Sequence, residues 1–264
     1  SAIVYASRGP DISIALKKLI LPELELATGK KFMAGKIYIN LIPLFVEIKD
    51  IKAFDSDDRQ FLKADRVKGY IGLSGLLNKE VIIRRLVIKG LEANSTKDRI
   101  GDIAGRAKEY LAQERKTPLK VVVKSVEFRD LMADYTEKDM IIAGKNINAE
   151  VLLSDSPNIK LSIGDMKLSG EKMPALSASI DTHITVGREK FDVKTLKMRS
   201  YSSEINVSGQ TNVNGKGGYL NAGIEIFVQS VKKMFNLKQK GDGMVTASGR
   251  IKIEDIGAGL SGVI

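Results

Sequence analysis

Ala175-Leu176-Ser177-Ala178-Ser179-Ile180-Asp181-Thr182-His183-Ile184-Thr185-Val186 sorts by parity into two faces. Leu176, Ala178, Ile180, Ile184 and Val186 fall on one side, with Thr182 their only polar member. Ser177, Ser179, Asp181, His183 and Thr185 fall on the other. Side chains alternate across a strand with a period of two, so the stretch reads as one strand with an oily face and a wet face. At about 3.3 Å per residue it spans roughly 40 Å, about twice the usual strand. An apolar face of that length needs a cover: a second sheet, a closed barrel or a bound apolar ligand.

The same alternation recurs along the chain. Ile147, Ala149, Val151 and Leu153 form one set, followed by Ile159, Leu161 and Ile163. Phe191 to Tyr201, Glu204 to Val213, Tyr219 to Val228 and Met244 to Ile253 follow the central strand, and Asn214 to Gly218 reads as a hairpin turn. Upstream, Phe32 to Leu41 and Phe45 to Ile48 read as strands joined near Pro43. Phe61 to Lys68, Tyr70 to Leu77 and Val81 to Leu91 continue the series, with bends at Gly69, Gly72 and Gly75. Asp55 to Asp58 is a turn lacking the glycine and distal glutamate of a calcium loop. Leu119 to Phe128 begins a second array, and Asp134 to Asp139 reads as an exposed turn.

Three helices are expected. Pro10 to Ala27 has an amphipathic middle that Asp11 can cap, ends at Thr28-Gly29, and is interrupted by Pro22. Ser95 or Thr96 caps a second helix over Lys97 to Glu114, whose stripe of Ile100, Ile103, Ala107, Tyr110 and Leu111 covers a sheet end. Val231 to Leu237 is a short third helix. Strands arriving in order with short turns predict a mainly β fold, a long curved antiparallel meander forming an open trough. Its domain organisation is a single elongated unit over 1–264, made of an N-terminal module (1–95), a helical segment (96–116) and a continuing strand array (117–264).

Composition narrows the function. The 42 Lys and Arg outnumber the 32 Asp and Glu, giving a net charge of +10, while aromatic residues make up only 6%. Nucleic-acid binders cluster their basic residues and interleave aromatics. Here the cations scatter over polar strand faces, as at Lys194, Lys197 and Arg199, so no nucleic-acid partner is expected. Diffuse positive charge suits a solvated face that is attracted to anionic lipid headgroups. With no cysteine in the chain, disulfides and thiol chemistry are excluded. No apolar run reaches the length of a membrane-spanning helix. Ala2 to Ala6, apolar up to Arg8, reads as the stump of a removed signal or anchor segment or as a scar of added sequence.

Catalytic signals are weak. His183, the single histidine, falls on the wet face among serines and has no metal-ligating companion. Ser230-Val231-Lys232-Lys233 fits a Ser-x-x-Lys spacing without its accompanying motifs and reads as helix surface. Gly257 to Gly262 matches a dinucleotide fingerprint, but the chain ends where the rest of the βαβ unit must follow. Asn94-Ser95-Thr96 and Asn206-Val207-Ser208 fit glycosylation sequons. No catalytic residue, metal ligand or cofactor is assigned.

Several segments together resemble the AsmA-like family of bacterial envelope proteins, relatives of the bridge-like lipid-transfer proteins. Leu24 to Lys31 resembles the family's helix ending in Thr-Gly. Ile37 to Leu44 with Val46 to Ile51 is similar to its first hairpin, Phe61 to Val67 to the next strand, and Leu73 to Val81 to the following turn. Ile83 to Leu91 closes that module, and Tyr201 to Gly209 and Gly243 to Ile251 are similar to the family's later repeats. The resemblance implies an open, twisted antiparallel trough in the periplasm. Anchoring to the inner membrane would run through an N-terminal segment that this chain does not contain. It also implies a part in phospholipid movement between membranes and in outer-membrane integrity.

The reading from the residues themselves agrees with a non-enzymatic trough whose partners are phospholipid or fatty acyl chains and the membrane surface. Its lipid-binding wall is expected to comprise Ile147, Ala149, Val151, Leu153, Leu176, Ala178, Ile180, Ile184, Val186, Ile205, Val207, Ile224 and Ile226. The alternative is a structural or adhesive sandwich or barrel in which the same residues pack into a dry core. An enzyme acting on envelope lipid or glycan would need an acid–base pair inside the cleft, and the apolar faces offer none.

Overall fold

Alternating apolar and polar residues build most of this chain into strands. The computed structural model describes residues 10–72, 74, 80–112, 120–138, 140–170, 173–214, 216–235, 237–238 and 241–253. Fourteen strands form one open sheet that does not close into a barrel, in the order β1-β3-β4-β5-β7 to β14, with β2 on β3 and β6 on β5. The chain divides into two compact units, Ser1–Asp139 and Met140–Ile264.

The first unit holds α1 (Pro10–Thr28), β1 (Lys31–Met33), β2 (Lys36–Leu41), β3 (Leu44–Phe54), β4 (Gln60–Gly72), β5 (Glu80–Thr96), α2 (Lys97–Ala112), β6 (Lys120–Val123) and β7 (Ser125–Glu137). α1 runs unbroken through Pro22, contrary to the interruption expected there. Proline removes one backbone donor and crowds the preceding turn, and this helix tolerates both. Its first helical residue is Pro10, a favoured start, so Asp11 lies inside the first turn rather than ahead of it. At the other end Gly29 takes the left-handed conformation (φ 65°), and its N–H donates to the Glu25 carbonyl at 2.7 Å.

α2 begins where expected. The Thr96 hydroxyl accepts the Arg99 N–H at 3.3 Å and forms the cap. α1 and α2 pack together through Lys30 and Asp102 (2.7 Å) and the Tyr110 hydroxyl on Glu23 (2.6 Å). Ile100, expected on the covered stripe, is half exposed at 50%. α1 also ties to β2, where the Ser13 hydroxyl accepts the Ile37 N–H at 3.0 Å. Nearby lie the most buried apolar residues of this unit, Ile37, Ile51, Ala53, Phe61 and Ala64.

Three expectations change here. β4 runs on through Gly69, where a bend or bulge was expected, and the irregularity against β5 comes just after it, between Tyr70 and Ile71. Asp134 to Glu137 lie in β7, not in a turn, and only Lys138 (φ 50°) begins one. The meander is interrupted once: β5 pairs in parallel with β6 and β7. A parallel neighbour needs a crossover long enough to return the chain to the same end, and the segment containing α2 supplies it. Leu73, Gly75 to Lys79, Thr117-Pro118, the apolar stretch from Ala2 and the Gly257 motif lie outside the described residues.

The second unit holds β8 (Met140–Leu152), β9 (Asn158–Gly170), β10 (Met173–Val186), β11 (Lys190–Ser200), β12 (Ser203–Asn212), β13 (Gly218–Phe227), α3 (Val228–Phe235) and β14 (Met244–Lys252). Its strands pair antiparallel in sequence order. α3 starts three residues earlier than expected and packs on β10 and β13.

The alternation has a repeated exception. In Ile48-Lys49-Asp50-Ile51, Ala64-Asp65-Arg66-Val67 and Ile88-Lys89-Gly90-Leu91, register pairs both outer members with apolar residues of neighbouring strands, and in Phe128-Arg129-Asp130-Leu131 it pairs Phe128 with Ile88. Two consecutive polar residues therefore face outward in each strand. Gly144-Lys145-Asn146-Ile147 and Ile163-Gly164-Asp165-Met166 repeat the device in the second unit. Asp50, Gly90, Asp130 and Asn146 absorb the extra residue with φ of 53°, 62°, 54° and 53°. Asp, Asn and Gly are the residues that enter this left-handed region most easily. Each strand thereby shifts parity and keeps its apolar residues on one face.

Candidate functional site

The stretch Ala175 to Val186 lies in β10, and its parity holds without a shift. Register carries its apolar residues across the second unit in rows. Ile147, Ile163, Ile180, Met198, Ile205, Ile224 and Ala247 form one transverse row from β8 to β14. Ala149, Leu161, Thr182, Leu196, Val207, Ala222 and Gly249 form the next, and Val151, Ile159, Ile184, Val193, Gly209, Leu220 and Ile251 a third. Register partners in a ladder point to the same side, so these rows form one apolar face roughly 29 Å wide at about 4.8 Å per strand spacing.

Every expected wall residue except Leu153 therefore shares this face. Leu176 and Ala178 extend it toward β9's Leu168 and Met166, Val186 pairs with Phe191, and Ile226 pairs with Val245. Leu153 lies just past the end of β8 and is 44% exposed.

Sequence parity missed Leu196 and Met198 as wall residues because β11 carries one extra residue. Val193 pairs with Ile184, but Leu196 pairs with Thr182, the surplus being Lys194 beside Thr195. A β-bulge of this kind restarts the alternation. Met166 and Leu168 on β9 were hidden in the same way by Gly164-Asp165.

Little covers the face. Ala178 is buried, while the other wall residues of the rows on β8 to β13 are only half-buried. On β14, Val245 and Ile251 are 60% and 56% exposed. Residues packed between two layers would be far more enclosed.

α3 covers one corner. Beneath it lies a pocket of about 230 Å³ lined by Leu176, Met198, Ser200, Ser203, Ile205, Ile226, Ser230 and Val231. Its serines are occupied by backbone groups. The Ser200 hydroxyl donates to the Ser177 carbonyl (2.6 Å), while Ser230 and Ser203 accept the N–H groups of Ser202 and Phe227 (both 3.1 Å). With its hydroxyls engaged, the lining offers a ligand almost entirely carbon. Ser230 is buried, whereas Lys233 extends toward the Tyr201 ring (5.8 Å), so the Ser-x-x-Lys spacing is not an assembled pair.

The opposite face is wet and charged. Glu204 receives Lys197 at 2.7 Å, Asn206 at 2.7 Å and Arg199 at 3.0 Å, and these hydrogen bonds, Lys197's foremost, hold its carboxyl down to about 2. Arg199 reaches Asp181 at 3.7 Å, and the Ser162 hydroxyl donates to Asp181 at 2.8 Å. His183 lies on this side, paired in register with Lys160 and Thr195, and its Nε2 is enclosed without a hydrogen-bond partner. Among the described residues no group of three or more His, Asp or Glu is placed to hold a metal ion, and no helix is long and apolar enough to cross a membrane. No protein-family model matches the chain, and no curated protein matches its sequence.

Proposed function

We propose that this chain is a non-enzymatic lipid-binding protein of the bacterial envelope, holding acyl chains on the apolar face of β8 to β14. The observation that carries the reading is that face itself: continuous over seven strands, apolar in its rows apart from Thr182 and, among the described residues, covered only at the α3 corner. Burying one methylene contributes about 0.8 kcal/mol, so an acyl chain of about sixteen carbons gains on the order of 10 kcal/mol before ordering costs. The pocket beneath α3 suits the tail terminus, since its lining is mainly carbon. The charged opposite face keeps the sheet solvated. The AsmA-like resemblance supports a periplasmic site at the inner membrane and a role in phospholipid transport or outer-membrane assembly.

The test is mass spectrometry of an organic extract from the purified protein, compared with an Ile180→Asp variant. Stoichiometric phospholipid or fatty acid is expected in the first and a strong depletion in the second, with circular dichroism unchanged. An uncovered wall residue accepts a carboxylate without unfolding, whereas a dry core does not. A clean wild-type extract that persists after incubation with vesicles, or outright unfolding of Ile180→Asp, would favour a closed structural module.

A further inference from the structure

The β2–β3 hairpin of the first unit ends in an apolar tip. Ile42 is 93% exposed and Leu41 44%, and the Asn40 amide donates to the Pro43 carbonyl at 2.7 Å, fixing the turn. An isoleucine so exposed at a hairpin tip contributes nothing to this fold.

Behind the tip the outer face changes character row by row. Register first places Asn40, Phe45, Tyr70 and Arg85 side by side, then Tyr38, Glu47, Lys68 and Val87, then Lys36, Lys49, Arg66 and Lys89. Aromatic rings therefore stand nearest the tip: Phe45 and Tyr70 have centroids 5.8 Å apart. Cations lie over them, with the Lys68 ammonium 3.6 Å from the Phe45 ring, Arg85 4.6 Å from Tyr70 and Lys49 5.2 Å from Tyr38. Lys68 and Arg85 favour the ionised Tyr70, lowering its pKa against the opposing effect of desolvation.

The single carboxylate on those rows of β2 to β5 is Glu47. It is 8% exposed and bracketed by Arg66 (3.4 Å), Lys49 (3.6 Å) and Lys68 (3.9 Å). One carboxylate among several cations leaves the face positive. Asp50 and Asp65 lie only in the following row, and the row beyond it carries Lys52, Lys63 and Glu92.

An exposed aliphatic tip, an aromatic belt and a basic collar, in that order along one axis, match the layers of a membrane surface: acyl boundary, interface and anionic headgroups. A protein partner would need no such ordering. We propose that the β2–β3 tip of the first unit docks on an anionic phospholipid bilayer, with Ile42 entering the acyl boundary and Lys68 and Arg85 meeting the phosphates. The inference is independent of acyl-chain binding in the second unit.

The experiment is sedimentation of the full chain with vesicles of phosphatidylcholine alone or mixed with phosphatidylglycerol, at low and high salt. The chain is expected to pellet with the anionic vesicles and to release at high salt. Ile42→Ser and the double variant Lys68→Glu/Arg85→Glu are each expected to weaken partitioning by about tenfold. Met33→Ser, an exposed position beyond the row of Asp50 and Asp65, is expected to leave it unchanged. Equal binding to neutral vesicles, no binding to either, or wild-type binding by Ile42→Ser overturns the proposal.

Discussion

Gly90 shows how single residues set the geometry of the sheet. Its φ of 62° suits glycine, and a Cβ added there would overlap the Asp65 carboxylate on the neighbouring strand. Gly90→Ala is therefore expected to cost about 1–2 kcal/mol for the left-handed alanine, plus whatever is needed to displace Asp65. Urea melts of Gly90→Ala, Asp65→Ala and the double variant would separate the two parts, because Asp65→Ala relieves only the second. At Asp50, Asp130 and Asn146 the same backbone conformation is carried by short polar side chains. These positions were hard to read from sequence. Lys49-Asp50 or Arg129-Asp130 breaks an alternating pattern by a single residue, and a local count sees a flaw where register shows a repeated device.

Among the elements, β11 makes the cost of parity testable. Its bulge takes up the extra residue on the wet side, so that Leu196 and Met198 stay on the apolar face and Lys197 and Arg199 beside Glu204. Deleting Lys194 removes the bulge and leaves a regular alternation, with Val193, Leu196 and Met198 on the apolar face and Thr195, Lys197 and Arg199 on the wet one. The deletion is therefore expected to stay within about 1 kcal/mol of wild type, since it moves no charge among apolar groups. Lys194→Ala keeps the chain length and should stay within about 0.5 kcal/mol of wild type. Guanidinium melts of the pair would check this, and a loss of several kcal/mol in the deletion alone would mean that the bulge itself holds β11 in place. Elements such as β10 were legible because one side is wet and the other oily along their whole length. α1 was misread at Pro22, and the parallel step from β5 to β7 was missed, because each is decided by neighbours distant in sequence.

At the scale of the molecule, an open sheet with an uncovered face was foreseeable from the long alternating strands. The pocket beneath α3 was not, since it needs Leu176, Ile205 and Val231 brought together from separate elements. If that face holds lipid, binding must be linked to stability. Extracting the lipid is expected to lower the thermal midpoint, and returning fatty acid should raise it in proportion to the logarithm of its concentration. Ile180→Asp is expected to blunt that rise, and a midpoint unmoved by saturating lipid would count against an occupied wall. The paired outward residues, repeated in six strands from β3 to β9, also bear on how such a protein changes length over evolutionary time. Each unit of the repeat carries its own parity correction, so a duplicated hairpin would arrive already in phase with its neighbours. Two further strands would lengthen the wall by about 10 Å. Reach in this architecture is thus a quantity that gene duplication can adjust in steps, without redesign of the surface it extends.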